Sequence, residues 1–196
     1  FIYLIRHGAY DPDSTVTRDE LGNGLNILGH TQARLTGARL AALPIHIDRL
    51  VSSTYLRAAQ TADDIGATLH MTPERDSLLR ECTPSSDRPD FRRDMSNAEV
   101  AGCDTNLAAA WAKYMRPSPD ADAHDVLVCH GNVTRWFVAH ALGMDLHAWT
   151  HFDIGNGSIT VLTVRPDGSV RLAAFSDTGH IPVDQQSWTG RGAGWT

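Results

Sequence analysis

The sequence predicts a three-layer α/β/α sandwich with a mostly parallel central sheet and a C-terminal antiparallel hairpin. Three observations lead there. The runs Phe1 to Ile5 (FIYLI), Asp48 to Ser52 (DRLVS) and Val126 to Cys129 (VLVC) read as strands buried in a parallel sheet. Each is followed by a segment of helical character. The alternating segments Ser158 to Arg165 and Ser169 to Phe175 flank the turn Arg165-Pro166-Asp167-Gly168 and read as a hairpin. Strands alternating with helices, then a hairpin, is the pattern of a sheet covered by helices on both faces.

Taken in order, the first strand ends in Arg6-His7-Gly8, and a polar stretch with Gly22 and Gly24 follows as loop. Asn26 suits a helix N-cap, after which Ala33, Gly37, Leu40 and Leu43 recur at helical spacing up to Pro44. After the second strand, Thr54 to Leu69 reads as a helix with Leu56, Ala59, Ala62, Ile65 and Leu69 on one face. Cys82 to Gly102 is rich in Pro, Ser, Asp and Arg and is expected to be a long surface excursion with at most a short helix, followed by a helix from Thr105 to Met115. Asp120 to Asp125 reads as loop. The third strand delivers His130-Gly131-Asn132 to a helix with Trp136, Phe137, Ala139 and Leu142, stopped by Gly143. The expected organisation is one domain over 1–187, with 82–103 as a lid-like excursion. A flexible Gly- and Trp-rich tail is expected over 188–196; docking of that tail on a second copy, giving a homo-oligomer, is the alternative.

Composition narrows the function classes. The chain has 196 residues, is 42% hydrophobic and 20% charged, and carries a net charge of −6. Those values suit a soluble domain with a substantial core and argue against a nucleic-acid partner, which would need a basic face. No apolar run reaches the roughly 18 residues of a membrane span. The chain opens on Phe1 inside a strand, without Met, so an upstream segment with its targeting information is expected to be missing; on what is present, cytoplasmic location is favoured. Cys82, Cys103 and Cys129 show no metal-ligand spacing, and their odd number suggests no disulfide framework. Cys129, within an apolar run, reads as a buried thiol.

The chemistry-bearing residues gather by topology. In such sheets ligands sit beyond the carboxyl ends of the strands. Arg6-His7-Gly8 and His130-Gly131-Asn132 follow strand ends directly, and Arg57 lies shortly after another. Phosphoryl transfer without a metal needs a nucleophile, and neutral imidazole serves. It needs cations and backbone donors around the phosphoryl oxygens, here Arg6, Arg57 and the Gly131-Asn132 helix start. It also needs an acid for the leaving oxygen, for which Glu81 is the candidate, with Glu74 and Asp76 nearby as competitors.

These residues carry a resemblance. Arg6-His7-Gly8, Leu25-x-x-x-Gly29-x-x-Gln32-Ala33, Ser52-Ser53-x-x-x-Arg57-Ala58-x-x-Thr61-Ala62, Leu79-Arg80-Glu81 and His130-Gly131-Asn132 resemble, in order and over nearly the whole chain, the motifs of the histidine phosphatase (phosphoglycerate mutase-like) superfamily, branch 1. Leu78-Leu79-Arg80-Glu81-x-x-Pro84, Asn156-Gly157-Ser158-Ile159-Thr160, Arg165-Pro166-x-Gly168 and Asp177-Thr178-Gly179-x-x-Pro182 are similar to its mitochondrial serine/threonine protein phosphatase members. The resemblance implies a phosphatase working through a phosphohistidine on His7. Arg6, Arg57 and His130 would hold phosphate, together with Gly8, Gly131 and Asn132, and Glu81 would be the proton donor. No metal and no cofactor are implied, and the partner is a phosphorylated protein or small molecule. Where family mutases carry Asn six residues after the nucleophile, this chain has Asp13. It is also shorter than they are between Glu81 and His130, which disfavours a mutase or phosphotransferase. An inactive phospho-ligand scaffold would not need the acid.

Each residue also has a plainer reading. His7 alone would pass for a structural histidine, and Arg6 for a surface ion-pair residue. Arg57, early in a helix, opposes the dipole unless an anion compensates. His30, His46, His70, His124, His140, His147, His151 and His180 read as surface or packing residues. Arg88, Arg92 and Arg93 are either a solvated loop or a lid that reads anionic groups beyond the phosphate.

Overall fold

A computed structural model describes residues 1–12, 22–92 and 95–188. Strands β1 (Ile2–Arg6), β2 (Arg49–Ser53), β3 (Glu74–Asp76), β4 (Asp125–Cys129), β5 (Ile159–Val164) and β6 (Val170–Asp177) form one six-stranded sheet in the order β3-β2-β4-β1-β5-β6. The first four are parallel, and β5 and β6 run antiparallel as the expected hairpin. Helices α1 (Ile27–Ala41), α2 (Leu56–Leu69), α3 (Pro89–Arg92), α4 (Asn97–Tyr114) and α5 (Gly131–Ala141) join them among the described residues, with 3-10 segments at Ser77–Leu79, Leu146–His151 and Val183–Gln185.

The three layers follow from alternation along the buried strands. Ile2, Leu4, Val51, Leu127 and Cys129 pack on one face with Leu107 and Tyr114 of α4 and Val133 and Phe137 of α5. Tyr3, Ile5, Leu50, Val126 and Val128 pack on the other with Leu40 of α1 and Ala58, Ala62 and Ile65 of α2. Two apolar faces explain why β1 and β4 read as continuous apolar runs rather than alternating ones.

The central register sets the site. Arg6 pairs with Cys129, and Ser52 with Val128. His7 and His130 are therefore the next residues on adjacent strands, and Ser53, the last residue of β2, is level with Arg6 and Cys129 one position before them.

The structure departs from expectation in three places. The edge strand β3 is Glu-Arg-Asp and carries no apolar signal; its pairing with Val51 to Ser53 alone defines it. Helix α4 begins at Asn97, not Thr105. The Ser96 side chain accepts from Glu99 N while the Glu99 carboxylate accepts from Ser96 N, a capping box that starts the helix inside the supposed excursion. Finally, Cys82 and Cys103 form a disulfide with Cα atoms 5.6 Å apart, which corrects the reading of the odd cysteine count. The odd residue is the buried Cys129, whose thiol burial pushes up to about 12.

The expected tail over 188–196 lies outside the described residues except for Trp188, which is half-buried against Gly155. Among the described residues, no helix is long and apolar enough to cross a membrane.

Candidate active site

The site begins where β1 ends. His7 is 2% exposed and is fixed at both ring nitrogens. Nδ1 lies 2.8 Å from the Gly8 carbonyl oxygen, and Nε2 lies 3.1 Å from Arg57 Nε. The carbonyl only accepts and the guanidinium only donates, so Nδ1 carries the proton and the Nε2 lone pair faces Arg57. Burial, reinforced by Arg57 and Arg6, holds the His7 pKa well below its ordinary value and keeps the ring neutral. The backbone around it is pinned. His7 N donates to Cys129 O at 3.1 Å, and Asn156 Nδ2 donates to His7 O at 3.2 Å.

Arg57 sits in the first turn of α2 and is 3% exposed. Its guanidinium lies over the Tyr10 ring at 4.8 Å and the Tyr55 ring at 5.5 Å, so two aromatic faces help hold the cation. Arg6 is buried too. Its Nη1 donates to Ile154 O, and burial pushes its pKa down to about 10.

His130 is fully buried, its ring centroid 5.0 Å from that of His7. Its Nε2 lies 2.9 Å from Ser53 Oγ, while Nδ1 is buried with no hydrogen-bond partner among the described residues. Ser53 Oγ also accepts from Tyr55 N at 3.2 Å, leaving its hydroxyl proton available for His130 Nε2. In the tautomer where Ser53 donates to Nε2, His130 Nδ1 carries a proton with no acceptor among the described residues, a state that a bound anion would complete. Burial, with His7, Arg57 and Arg6 nearby, depresses the His130 pKa as well.

Glu81 reaches the site from the segment after the 3-10 turn at Ser77–Leu79. Its Oε1 accepts from Asn132 N, at the start of α5, at 3.2 Å. The competing acids are committed elsewhere: Glu74 pairs with Arg49, and Asp76 accepts from Lys113 and Tyr114.

The structure thus brings Arg6, His7, Arg57, His130 and Glu81 together. Gly131 lies against Arg6, its missing Cβ 3.6 Å from Arg6 Nε. The glycine at position 8 has a packing role. Its N–H donates to Thr61 Oγ1 at 3.0 Å, and a Cβ there would meet Gly29 O at 2.4 Å. It is the point where α1 crosses β1. Of the three arginines expected in a lid, only the Arg88 side chain lies within the described residues. Arg88 is exposed and paired with Asp90, while the Arg92 side chain, Arg93 and Asp13 lie outside the described residues. The histidines outside the motifs that have partners pack structurally: His30 on Asp64, His124 on Phe1, His140 on Trp136 and His180 on Thr36.

Several supporting residues carry no role in the sequence reading. Gln32 Oε1 accepts from Ala9 N at 2.8 Å, fixing the loop after His7. Arg135 Nη1 donates to Asn132 Oδ1 at 3.2 Å, so a further, partly buried cation backs the residue that holds Glu81. Ser53, Gln32 and Asn156 stand inside quoted motifs, a signal that was present. Arg135 stands three residues past Asn132, one helical turn on the same face, which is the spacing that links them. Among the described residues no group of three or more His, Cys, Asp or Glu is gathered as a metal ion would require.

A buried imidazole flanked by two arginines and a second imidazole, with a carboxylate at the rim, defines a protein built to handle phosphoryl groups at the carboxyl edge of an α/β sheet. The histidine phosphatase superfamily (branch 1) matches residues 2–86 and 105–178, and this chain belongs to that superfamily. It is 34% identical over 192 residues to "Serine/threonine-protein phosphatase PGAM5, mitochondrial" of Xenopus tropicalis, across 96% of this chain and 68% of that protein. It is also 34% identical over 189 residues to the protein of that name in Homo sapiens, across 94% of this chain and 64% of that protein. The chain thus spans about two thirds of the length of these relatives. Among solved structures, phosphoglycerate mutase from Plasmodium falciparum superposes with a TM-score of 0.62 at 26% identity, covering 89% of this chain and 88% of that one. A putative α-ribazole-5′-P phosphatase from Escherichia coli superposes at 0.71 with 17% identity, over 90% of this chain and 95% of that one, and shares the fold.

Proposed function

We propose that this chain is a phosphomonoesterase that removes phosphoryl groups from phosphoserine- or phosphothreonine-containing proteins through a phosphohistidine on His7. The observation that carries the reading is the state of His7: a neutral ring whose Nδ1 proton is held by Gly8 O and whose Nε2 carries the lone pair, which accepts from Arg57 Nε until a phosphoryl oxygen takes that donor.

In the first step Nε2 attacks phosphorus in line. Arg6, Arg57 and a donating His130 Nδ1 take up the charge spread over the phosphoryl oxygens, while Glu81 protonates the departing oxygen. The P–O bond to the leaving group breaks as the N–P bond forms. In the second step Glu81, now ionised, accepts a proton from water, which attacks the phosphohistidine and releases phosphate. Asn132, which holds the Glu81 carboxylate, orients the acid rather than the phosphate. The protein-phosphatase name carried by relatives of about one-third identity supports protein substrates. The mitochondrial designation in those names supports that compartment over the cytoplasm.

The test is steady-state hydrolysis of phosphoserine and phosphothreonine peptides and of 3-phosphoglycerate, with chelator present, by wild type and His7→Ala. Peptide turnover that disappears in His7→Ala is expected. Isomerisation of 3-phosphoglycerate in preference to peptide hydrolysis would replace the phosphatase reading by a mutase. Peptide turnover surviving in His7→Ala would remove the histidine nucleophile.

A further inference from the structure

The segment bearing Glu81 is gripped mainly by one helix. Asn106 Nδ2 of α4 donates to Leu78 O at 2.9 Å, Asp104 Oδ1 accepts from Ser85 N at 3.0 Å, and Cys103 is bonded to Cys82. Neighbouring positions of α4 therefore hold residues on both sides of the carboxylate. From the opposite side, Asn132 donates its backbone N–H to Glu81 Oε1 and its side-chain amide to Cys82 O at 3.0 Å. Of these attachments only Cys82–Cys103 is covalent, and it falls on the residue next to Glu81. It also closes the loop of 21 positions that contains α3 and the basic excursion.

We propose that the Cys82–Cys103 disulfide is a positioning element for Glu81, and that its reduction selectively slows substrates whose leaving oxygen must be protonated. This rests on Glu81 being the proton donor, as above. Breaking the bond replaces a separation of about 2 Å between the sulfurs by a non-bonded one of about 3.5–4 Å. Rotation about the side-chain torsions takes up part of that change, and the Cys82 backbone, one peptide from Glu81, loses its covalent anchor and is free to shift with the rest. A misplacement of about 1 Å in a reacting group costs on the order of a hundredfold in rate. The chemistry is ordinary thiol exchange with a dithiol reductant. A thiolate attacks Cys82 Sγ, on a partly exposed residue, rather than Cys103, which is 3% exposed. The S–S bond breaks, Cys103 leaves as thiolate and takes a proton, and the reductant's second thiol resolves the mixed disulfide. Two electrons and two protons pass to the protein, and the reductant departs as its cyclic disulfide.

Leaving-group chemistry separates positioning from mere stability. An alkoxide departs poorly unless protonated, so phosphoserine peptide turnover needs Glu81 in place. A nitrophenolate departs unprotonated, so p-nitrophenyl phosphate needs only His7 and the cations. Wild type is measured oxidised, reduced with dithiothreitol, and reoxidised, with thiols counted by alkylation and mass spectrometry and the fold followed by thermal unfolding. Reduction is expected to lower phosphoserine turnover by about tenfold or more while p-nitrophenyl phosphate changes by less than about twofold, with recovery on reoxidation. Cys103→Ser, which breaks the bond without touching the Glu81 segment, should behave as the reduced protein under either condition. An unchanged ratio of the two activities overturns the positioning role alone. So does a parallel loss of both, or full phosphoserine turnover in protein with both thiols free. Hydrolysis of neither substrate in any form overturns the phosphatase reading and the positioning role with it.

Discussion

Replacing Arg57 by Ala removes the donor to His7 Nε2, at 3.1 Å, and a buried cation stacked on Tyr10 and Tyr55. Two effects follow. The transition state loses a charge-assisted donor in a site closed to water, where losing one such donor costs about 2.7–4 kcal/mol, or 10²–10³ in kcat/KM. The second effect is on protonation. Arg57 is among the groups that hold His7 and His130 below their ordinary value, and the space left by its side chain lets water approach the rings, which weakens burial, the largest cause. Both changes raise the histidine pKa values, so the acid limb of the pH–rate profile moves to higher pH. Arg57→Lys keeps the charge but not the planar fork, so the limb should move less while kcat/KM still falls. The assay is kcat/KM for a phosphopeptide between pH 4 and 8, with circular dichroism confirming the fold. A loss below tenfold in Arg57→Ala, or a limb displaced toward acid, would refute this account of the cation's role.

Two further outcomes follow from the same geometry. His7 and His130 are buried neutral in the folded state but titrate near 6.5 when unfolded, so the unfolded chain binds more protons at acid pH. Stability contributed by their depressed pKa values is present above about pH 6.5 and is lost below it, at about 1.4 kcal/mol per pH unit for each group. Urea unfolding at pH 7 and pH 5.5 checks this, and a His130→Gln variant should show a shallower fall; an equal fall would assign the pH dependence elsewhere. Gly8→Ala places a Cβ 2.4 Å from Gly29 O and forces α1 off β1. A loss of about 1–3 kcal/mol is expected by thermal or urea unfolding, together with reduced turnover, and no loss would show that the crossing can relax.

The layers and the site were legible in the sequence for one physical reason. A parallel strand covered on both faces is apolar throughout, so β1 and β4 stand out as runs while β2 shows only the Leu50-Val51 pair, and the residues at the strands' carboxyl ends form one edge. Arg6, His7 and His130 were therefore placed by strand position alone. Strand β3 was not legible because its charged side chains reflect an exposed edge, and its identity comes from pairing with β2. The start of α4 was written in Ser96 and Glu99, but the polar, Pro-rich stretch before it outweighed that cap. The disulfide was missed because counting cysteines does not say which thiol the core has taken; burial of Cys129 leaves Cys82 and Cys103 as a pair. Asn156 supports the His7 backbone across a separation of 149 positions that only the fold closes.

The central claim is a covalent phosphoryl group on His7, and the direct measurement is to trap it. Enzyme mixed with excess phosphoserine peptide, quenched within the first turnovers under denaturing alkali and examined by intact mass and peptide mapping, should show one added phosphoryl group. That group should be stable in alkali, labile in acid and confined to the peptide containing His7. A phosphoryl group on any other residue, or turnover at full rate in His7→Ala, would contradict the account.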